Sequence, residues 1–234
     1  MSNLIISVSG LRGIVGDTLT PDVATRYVAA FASKLPSGPI IVGRDGRSSG
    51  PMLSRAIIAS LIACGRDCVD VDVAATPTIG VLVRARKAAG AVQISASHNP
   101  PPYNGIKLFG SSGRVLDAET GAAIRSALEA GKAPWCRFDQ IGRVSEDADP
   151  HDPHLQKVLA TVDVEAIRAA GHRVLLDSNH GAGGLLGKRL LAALGCQVVA
   201  VGDTPDGQFE HVPEPTAENL TGISDLVREK SCAI

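Results

Sequence analysis

The sequence predicts an α/β protein with two layered domains, and three of its features support that prediction. Short runs of β-branched residues alternate with helical stretches over residues 4–130. A polar, proline-punctuated segment, SEDADPHDP at 145–153, then interrupts the alternation and is typical of a linker. The alternation resumes beyond it, so we predict one domain at residues 1–144 and a second at residues 145–234.

The first domain is predicted to be a βαβα series that begins with the strand LIISV at 4–8. The next elements are a helix at 21–35, a strand at 39–43, a helix at 50–65, a strand at 68–73, a helix at 76–90 and a strand at 91–95. Thr20 and Thr76 each precede a proline, which predicts an N-cap followed by proline at the first helical position. The chain then turns through a loop and returns in GIKLF at 105–109, with Asn104 and Gly105 suited to a tight turn. A helix from about Ala118 to Ala130 completes the unit.

The second domain is predicted to contain two strands and at least three helices. A helical segment runs through Val158 and Ile167, and the strand HRVLLD, the turn SNHGAGG, a helix and the strand CQVVAV follow it. A last helix is predicted from about Thr216 to Lys230, and only Ser-Cys-Ala-Ile follows. Because this order leaves the sheet without its next strand, we expect the second domain to be truncated and the chain to be a fragment of a longer protein.

Composition and charge exclude several classes of partner. The 23 basic and 24 acidic residues give a net charge of -1, so the chain lacks the broad positive field that binds nucleic acid or an anionic membrane. The N-terminus has no basic region before its short apolar run, and no stretch is long enough for a membrane span, which predicts a cytoplasmic protein. The five cysteines do not form two close pairs, so we predict reduced packing residues without a metal.

The segment ISASHNPPPYNGIK at 94–107 is the strongest candidate for a functional loop. Ser97 follows the carboxyl end of a predicted strand, where open α/β sheets bind their ligands. Three consecutive prolines fix the backbone of the loop before any ligand arrives. Ser95 and Asn99 occupy the two glycine positions of a Gly-x-Ser-x-Gly elbow, which argues against a serine hydrolase. The structural alternative is a rigid surface turn in which Ser97 and His98 only satisfy backbone groups.

Two further loops carry residues with two possible roles. Arg44 and Arg47 flank Asp45 after a strand, and they either form ion pairs that shape a cleft or contact a ligand. The turn SNHGAGG at 178–184 resembles a phosphate cradle but lacks the spacing of a phosphate-binding loop, which favours a close strand-to-helix turn. The scattered histidines of the second domain are not predicted to be ligands.

Four motifs together resemble the α-D-phosphohexomutases, the family of phosphoglucomutase, phosphomannomutase and phosphoglucosamine mutase. They are ISASHNPPPYNGIK, SGLRGIVG at 9–16, VGRDGR at 42–47 and PEPTAENL at 213–220, in the order of the family and spread over nearly the whole chain. The resemblance implies layered α/β/α domains with mixed sheets. It also implies that Ser97 carries a phosphoryl group, with His98 beside it, Lys107 nearby and Arg12 reaching the phosphate.

These implied roles agree with the chemistry of a phosphoserine. Such a group carries about -1.5 to -2 charges and needs fixed cations, which Arg12 and Lys107 supply. His98 can donate a hydrogen bond to the sugar hydroxyl or move its proton. The implied reaction interconverts a hexose 1-phosphate and a hexose 6-phosphate through a bisphosphorylated sugar.

The resemblance also implies Mg²⁺ as the cofactor of the parent protein. Family members hold this ion in a loop of the type Asp-Gly-Asp-Gly-Asp-Arg, and the sequence contains no such string. Within this chain the implied metal contact is therefore Ser97 alone, through its phosphate, and we expect low activity without the missing C-terminal part as a partner. The alternative function is a noncatalytic module that binds a hexose phosphate or assembles with another chain.

Overall fold

The computed structural model describes residues 4–7 and 10–234 of the chain. Ser9 in the N-terminal motif and Val8 in the first predicted strand lie outside the described residues. The fold is α/β, and within the described part seven strands form one mixed sheet while two form another. The predicted fold class is therefore confirmed in its α/β character and in its mixed sheet.

The elements of the first sheet and its helices follow the predicted alternation. They are β1 (Ile5–Ser7), β2 (Gly10–Ile14), α1 (Pro21–Ala32), β3 (Ile40–Arg44), α2 (Gly50–Ala63), β4 (Cys68–Val73), α3 (Thr76–Ala85), β5 (Gly90–Ile94), β6 (Tyr103–Gly110), α4 (Ala118–Glu129) and β7 (Val144–Glu146), with a 3-10 turn at Phe138–Gln140. The strand order is β1-β2-β6-β5-β3-β4-β7. Strands β3, β4, β5 and β7 pair in parallel, whereas β6 pairs antiparallel with both β2 and β5.

Apolar side chains cover both faces of this sheet because alternate residues of a strand point to opposite sides. Ile40 and Val42 pack in one cluster with residues of α1, α2 and α4, while Ile41 packs in a second cluster with residues of α3. All three side chains are fully buried. The central strands are therefore enclosed by helices on both sides, which leaves the carboxyl edge of the sheet as the accessible place for a ligand.

Two local features differ from the sequence prediction. Helix α3 begins at Thr76 with Ala75 as its cap, whereas Thr20 caps α1 as predicted and its hydroxyl accepts a hydrogen bond from Val23 N. Asn104 and Gly105 lie inside β6 and do not form the predicted tight turn. The chain instead reverses direction before β6, in the segment that contains the three prolines. Gly105 is needed in the strand because a Cβ there would lie 2.8 Å from Ser95 O.

The predicted linker is shorter than its polarity suggests. Residues 145 and 146 belong to β7, whose fully exposed edge explains the polar sequence, and β7 pairs with β4. Residues 152 and 153 open the helix α5. The connection that remains is 147–151, while the predicted division into residues 1–144 and 145–234 stays a prediction.

The second part of the chain is a smaller α/β unit. It contains α5 (Asp152–Leu159), α6 (Val164–Ala170), β8 (Arg173–Asp177), α7 (Gly183–Ala193), β9 (Gln197–Val201) and α8 (Ile223–Glu229). Strands β8 and β9 are parallel, and Ala233 N and Leu175 N add hydrogen bonds between the last two residues and β8. The last helix is shorter than predicted because Gly222 adopts a left-handed backbone and ends the turns that precede it.

A partly exposed ion pair joins the connection 147–151 to α7. Arg189 Nη1 and Nη2 lie 2.5 and 2.8 Å from the carboxylate oxygens of Asp149. The hydrogen bond from Arg189 lowers the pKa of Asp149 to about 2. Since the pKa of an unfolded aspartate is about 3.9, the pair stabilises the fold above about pH 4 and loses this effect as the pH falls toward 2.

We predict that Arg189→Gln raises the pKa of Asp149 toward that of an ordinary aspartate and removes this acid-dependent part of stability. The measurement is an NMR titration of the Asp149 carboxyl, combined with denaturant unfolding at several pH values. Arg26→Gln is the matched control because Arg26 pairs with Asp22 within the exposed face of one helix, α1. An unchanged Asp149 titration in Arg189→Gln would show that the pair is not formed in solution.

No helix within the described ranges is long and apolar enough to cross a membrane. All five cysteines are free thiols, as the sequence predicts. Burial raises the pKa of the Cys68 thiol to about 12, which keeps this side chain protonated and unreactive at neutral pH.

Candidate active site

Ser97 lies directly beyond the carboxyl end of β5 and is exposed. Its backbone has a φ of 58°, a left-handed conformation that costs a non-glycine residue about 1–3 kcal/mol. The amide of Ser97 donates to Ser95 Oγ (3.0 Å), and the amide of Asn99 donates to Ala96 O (3.2 Å). The surrounding loop therefore holds Ser97 in a strained position, which is common for residues that react or bind.

The antiparallel pairing of β2, β6 and β5 brings Arg12 and Lys107 beside Ser97. Arg12 is opposite Gly105, and Lys107 is opposite both Gly10 and Gln93. This register makes Arg12 and Lys107 a diagonal pair about 7–8 Å apart at their Cα atoms. Both residues and Ser97 line one cavity of about 390 Å³. The fold thus brings together three of the four predicted site residues.

Neither cation of this cavity has an ion-pair partner among residues 4–7 and 10–234. Arg44, at the end of β3 in the same sheet, is by contrast paired with Asp72 at 2.5 Å. Arg12 and Lys107 are half-buried, so each side chain can contact a ligand in the cavity while its backbone stays paired in the sheet. Two unpaired positive charges beside a hydroxyl form a suitable receptor for a dianion such as a phosphate.

His98 is the predicted site residue that does not line this cavity. It follows Ser97 in the loop and is exposed. Its role toward a sugar hydroxyl stays a prediction.

Both arginines of the VGRDGR loop form ion pairs, while their possible contact with a ligand stays a prediction. Arg44 pairs with Asp72, and Arg47 Nε lies 3.2 Å from Asp45 Oδ2. Burial lowers the pKa of Arg47, and the charge of Asp45 opposes this effect. Arg47 has a further set of contacts that the sequence did not predict, because they reach the backbone of the Ser97 loop.

Residues of the second unit also approach the Ser97 loop. Gly181 and Ala182, at the start of α7, line a cavity of about 150 Å³ together with Ser97 and Phe209. The turn SNHGAGG joins β8 to α7, so the strand-to-helix interpretation is confirmed. Pro213, which opens the PEPTAENL motif, lines another cavity of about 420 Å³ with Pro100 and Pro101. The motifs that are distant in sequence therefore meet around one loop.

His180 in this turn is held between two carboxylates. Its Nδ1 lies 2.8 Å from Asp206 Oδ1, and its Nε2 lies 3.3 Å from Glu210 Oε1. Desolvation opposes protonation, but the hydrogen bond to Glu210 and the charge of Asp206 raise the pKa of His180. These contacts give His180 a structural role in the turn, and its exclusion as a ligand stays a prediction.

Another cavity, larger than the one at Ser97, has an acidic lining that does not suit an anionic ligand. Its volume is about 620 Å³, and its lining includes Asp70, Asp72, Glu146 and Asp147. Four carboxyl groups repel a phosphate by Coulomb interaction. The smaller cavity at Ser97 is therefore the better candidate for phosphate chemistry.

The described residues do not fit a Mg²⁺ site of their own. No group of three or more His, Cys, Asp or Glu side chains within those residues is arranged to hold a metal ion. A Mg²⁺ ion prefers octahedral oxygen ligands that include carboxylates. Ser97, the predicted metal contact, has no such cluster beside it within the described residues.

Comparisons with known proteins agree with the arrangement of the four motifs. The family model for phosphoglucomutase/phosphomannomutase, alpha/beta/alpha domain I, matches residues 4–134, and that for domain II matches residues 152–234. The phosphoglucomutase/phosphomannomutase of Thermococcus kodakarensis is 38% identical over 225 residues, which cover 94% of this chain and 49% of the relative. A protein of Methanopyrus kandleri named "Probable phosphoglucosamine mutase" is 36% identical over 221 residues, covering 94% of this chain and 48% of the relative.

A solved structure shows the same fold. The phosphoglucomutase/phosphomannomutase family protein from Burkholderia thailandensis is 27% identical, with a TM-score of 0.79, and the match covers 97% of this chain and 52% of that structure. The chain thus spans about half the length of the curated relatives it matches. On these matches the chain belongs to the phosphoglucomutase/phosphomannomutase family and corresponds to its alpha/beta/alpha domains I and II.

Proposed function

We propose that this chain is the phosphoryl-carrying part of a phosphohexomutase, with Ser97 as the residue that accepts and donates the phosphoryl group. The observation that supports this most is the cavity in which Ser97 lies beside two unpaired cations, Arg12 and Lys107. The substrates are hexose phosphates, which the mutase interconverts between their 1-phosphate and 6-phosphate forms.

The proposed step moves one phosphoryl group between two oxygens. A bond forms between phosphorus and the oxygen of a sugar hydroxyl, and the bond from phosphorus to Ser97 Oγ breaks, with its electron pair staying on Oγ. His98 takes the proton of the sugar hydroxyl, and Ser97 Oγ gains a proton in exchange for the phosphoryl group, so the step ends with a free serine hydroxyl. The bisphosphorylated sugar then turns over in the cleft and returns its other phosphoryl group to Ser97, so the phosphoserine is regenerated.

Arg12 and Lys107 act on the charge of the transferring group. Their side chains hold the phosphoryl oxygens by charge-assisted hydrogen bonds before and during transfer. Because both residues lie on paired strands, the cations need little reorganisation when the reaction begins. The left-handed backbone at Ser97 keeps its Oγ at the cavity that these cations line.

We further propose that Mg²⁺ and the full substrate clamp depend on residues beyond the two domains described here. Family membership implies a hexose phosphate as substrate and Mg²⁺ as cofactor, but the described residues form no carboxylate cluster for the ion. We therefore assign complete turnover to a protein of the relatives' length, in which a C-terminal part is the partner of these domains. Steady mutase turnover by this chain alone would contradict that assignment.

The test of the function is phosphoryl uptake by the purified chain. We expect incubation with a hexose 1,6-bisphosphate to place one phosphoryl group on Ser97, slowly, as measured by intact mass and located by peptide mapping. Binding of a hexose phosphate is measured in parallel by calorimetry. Hexose phosphate binding without any phosphate on Ser97 would instead establish the noncatalytic binding module.

A further inference from the structure

The side chain of Arg47 lies beneath the Ser97 loop and is only 3% exposed. A buried guanidinium is costly unless its N–H groups all find acceptors. Arg47 lies three residues after the end of β3, and β3 is the neighbour of β5 in the sheet. This position lets one side chain reach across to the loop that follows β5.

The guanidinium of Arg47 donates to the backbone of the loop on all four of its terminal N–H groups. Nη1 donates to Pro100 O (2.9 Å) and Tyr103 O (3.0 Å), and Nη2 donates to Ser97 O (3.0 Å) and Asn99 O (2.6 Å). These carbonyls span the whole bend from Ser97 to the start of β6. A planar fork that binds four carbonyls fixes their relative orientation, which a lysine ammonium cannot do.

Asp45 and the end of β5 fix the guanidinium in turn. Asp45 Oδ2 accepts from Arg47 Nε at 3.2 Å, and Asp45 Oδ1 accepts from the backbone amide of Arg47 at 3.1 Å. The amide of Asp45 donates to Ile94 O at 2.9 Å, the last residue of β5. Arg47 is therefore attached to the rigid sheet on one side and to the loop on the other.

The second unit covers the remaining face of this guanidinium. The ring of Phe209 lies 5.1 Å from the Arg47 carbon Cζ, in a cation–π arrangement. The backbones of the two units are also in close contact here. A Cβ on Gly207 would lie 2.8 Å from Arg47 Cα, and a Cβ on Gly46 would lie 2.5 Å from Pro205 O. Water is thus excluded from the hydrogen bonds between Arg47 and the loop, which strengthens them.

We propose that Arg47 is the positioning residue of Ser97, and that Phe209 links the order of the Ser97 loop to the second domain. Arg47 contacts the carbonyl of Ser97 and not its hydroxyl, so it acts through the loop backbone. Its hydrogen bond to that carbonyl offsets the strain of the left-handed residue. The consequence for phosphoryl transfer rests on the proposed function, whereas the effect on loop order does not.

The test measures hydrogen exchange at the amides of Ser97, His98 and Asn99, the loop positions that have an N–H before β6, in Arg47→Lys, Arg47→Ala and Phe209→Leu. We expect exchange to become at least about tenfold faster in both Arg47 variants, because hydrogen bonds to a charged donor are lost, with β5 and β6 unchanged. Phe209→Leu keeps an apolar cover but removes the cation–π contact, so we expect a smaller increase. Added guanidinium at low concentration is expected to restore slow exchange in Arg47→Ala and not in Arg47→Lys.

Two results would overturn the proposal. One is slow loop exchange that persists in Arg47→Ala, which would show that the prolines alone order the loop. The other is faster exchange spread evenly over the first sheet without rescue by guanidinium, which would show a general role in folding. If Arg47→Ala does not fold, Phe209→Leu is the deciding variant, and unchanged loop exchange in it would overturn the proposal. An unmodified chain that has an ordered loop but takes up no phosphate on Ser97 would contradict the proposed function and leave the role of Arg47 in loop order intact.

Discussion

Ser97→Ala is expected to remove phosphoryl uptake from a hexose bisphosphate completely. Alanine has no oxygen that can form a bond to phosphorus, and the hydroxyls of Ser7 and Ser95, which also line the cavity, are hydrogen-bonded to the backbone. Folding is expected to change little, because the Ser97 side chain is exposed and the loop is held through its backbone. Intact mass after incubation with the bisphosphate measures the result.

Ser111→Ala is the matched control for this variant. Ser111 is exposed in the turn after β6, so its removal deletes a hydroxyl without changing the candidate site. We expect this control to take up phosphate like the unmodified chain. Phosphate on Ser97→Ala at the level of the control would refute Ser97 as the acceptor.

Removing either cation is expected to slow phosphoryl uptake strongly while leaving the fold intact. A charge-assisted hydrogen bond contributes about 1.5–3 kcal/mol, so Arg12→Gln or Lys107→Gln should slow transfer to Ser97 by about ten- to a hundredfold or more. The double variant should be slower than either one. The rate of phosphate incorporation is the measurement, and denaturant unfolding checks that the fold is retained.

Arg55→Gln controls for the loss of one positive charge elsewhere. Arg55 is exposed on α2, so the variant has the same net charge as the Arg12 variant without touching the cavity. We expect it to behave like the unmodified chain. If Arg12→Gln lowers stability but takes up phosphate at the normal rate, Arg12 has a structural role only.

The sequence predicts the location of the candidate site well because local patterns determine it. Alternating burial of residues such as Ile40 and Ile41 identifies the strands, and Ser97 follows directly from the end of one of them. The two prolines that follow threonines mark helix starts within one residue. These features depend on backbone sterics and on the period of burial, which a single sequence contains.

The contacts of Arg47 could not be predicted in the same way. Its four carbonyl partners lie 50 to 56 residues away along the chain, and carbonyl groups leave no mark on the sequence. The packing of Phe209 on Arg47 likewise depends on how the two units meet. The sequence predicts a linker at residues 145 and 146 of β7 because an edge strand without a buried face has the composition of a loop.

Donation of the phosphoryl group from Ser97 to a sugar is the most direct test of the proposed role of this serine. The chain is first phosphorylated with a hexose bisphosphate, separated from it and then mixed with a hexose 6-phosphate. We predict that the phosphate disappears from Ser97 while an equal amount of hexose bisphosphate forms, with slower transfer in Arg12→Gln and Lys107→Gln. A phosphate that stays on Ser97, or that is released to water at the same rate with and without the sugar, would contradict the claim.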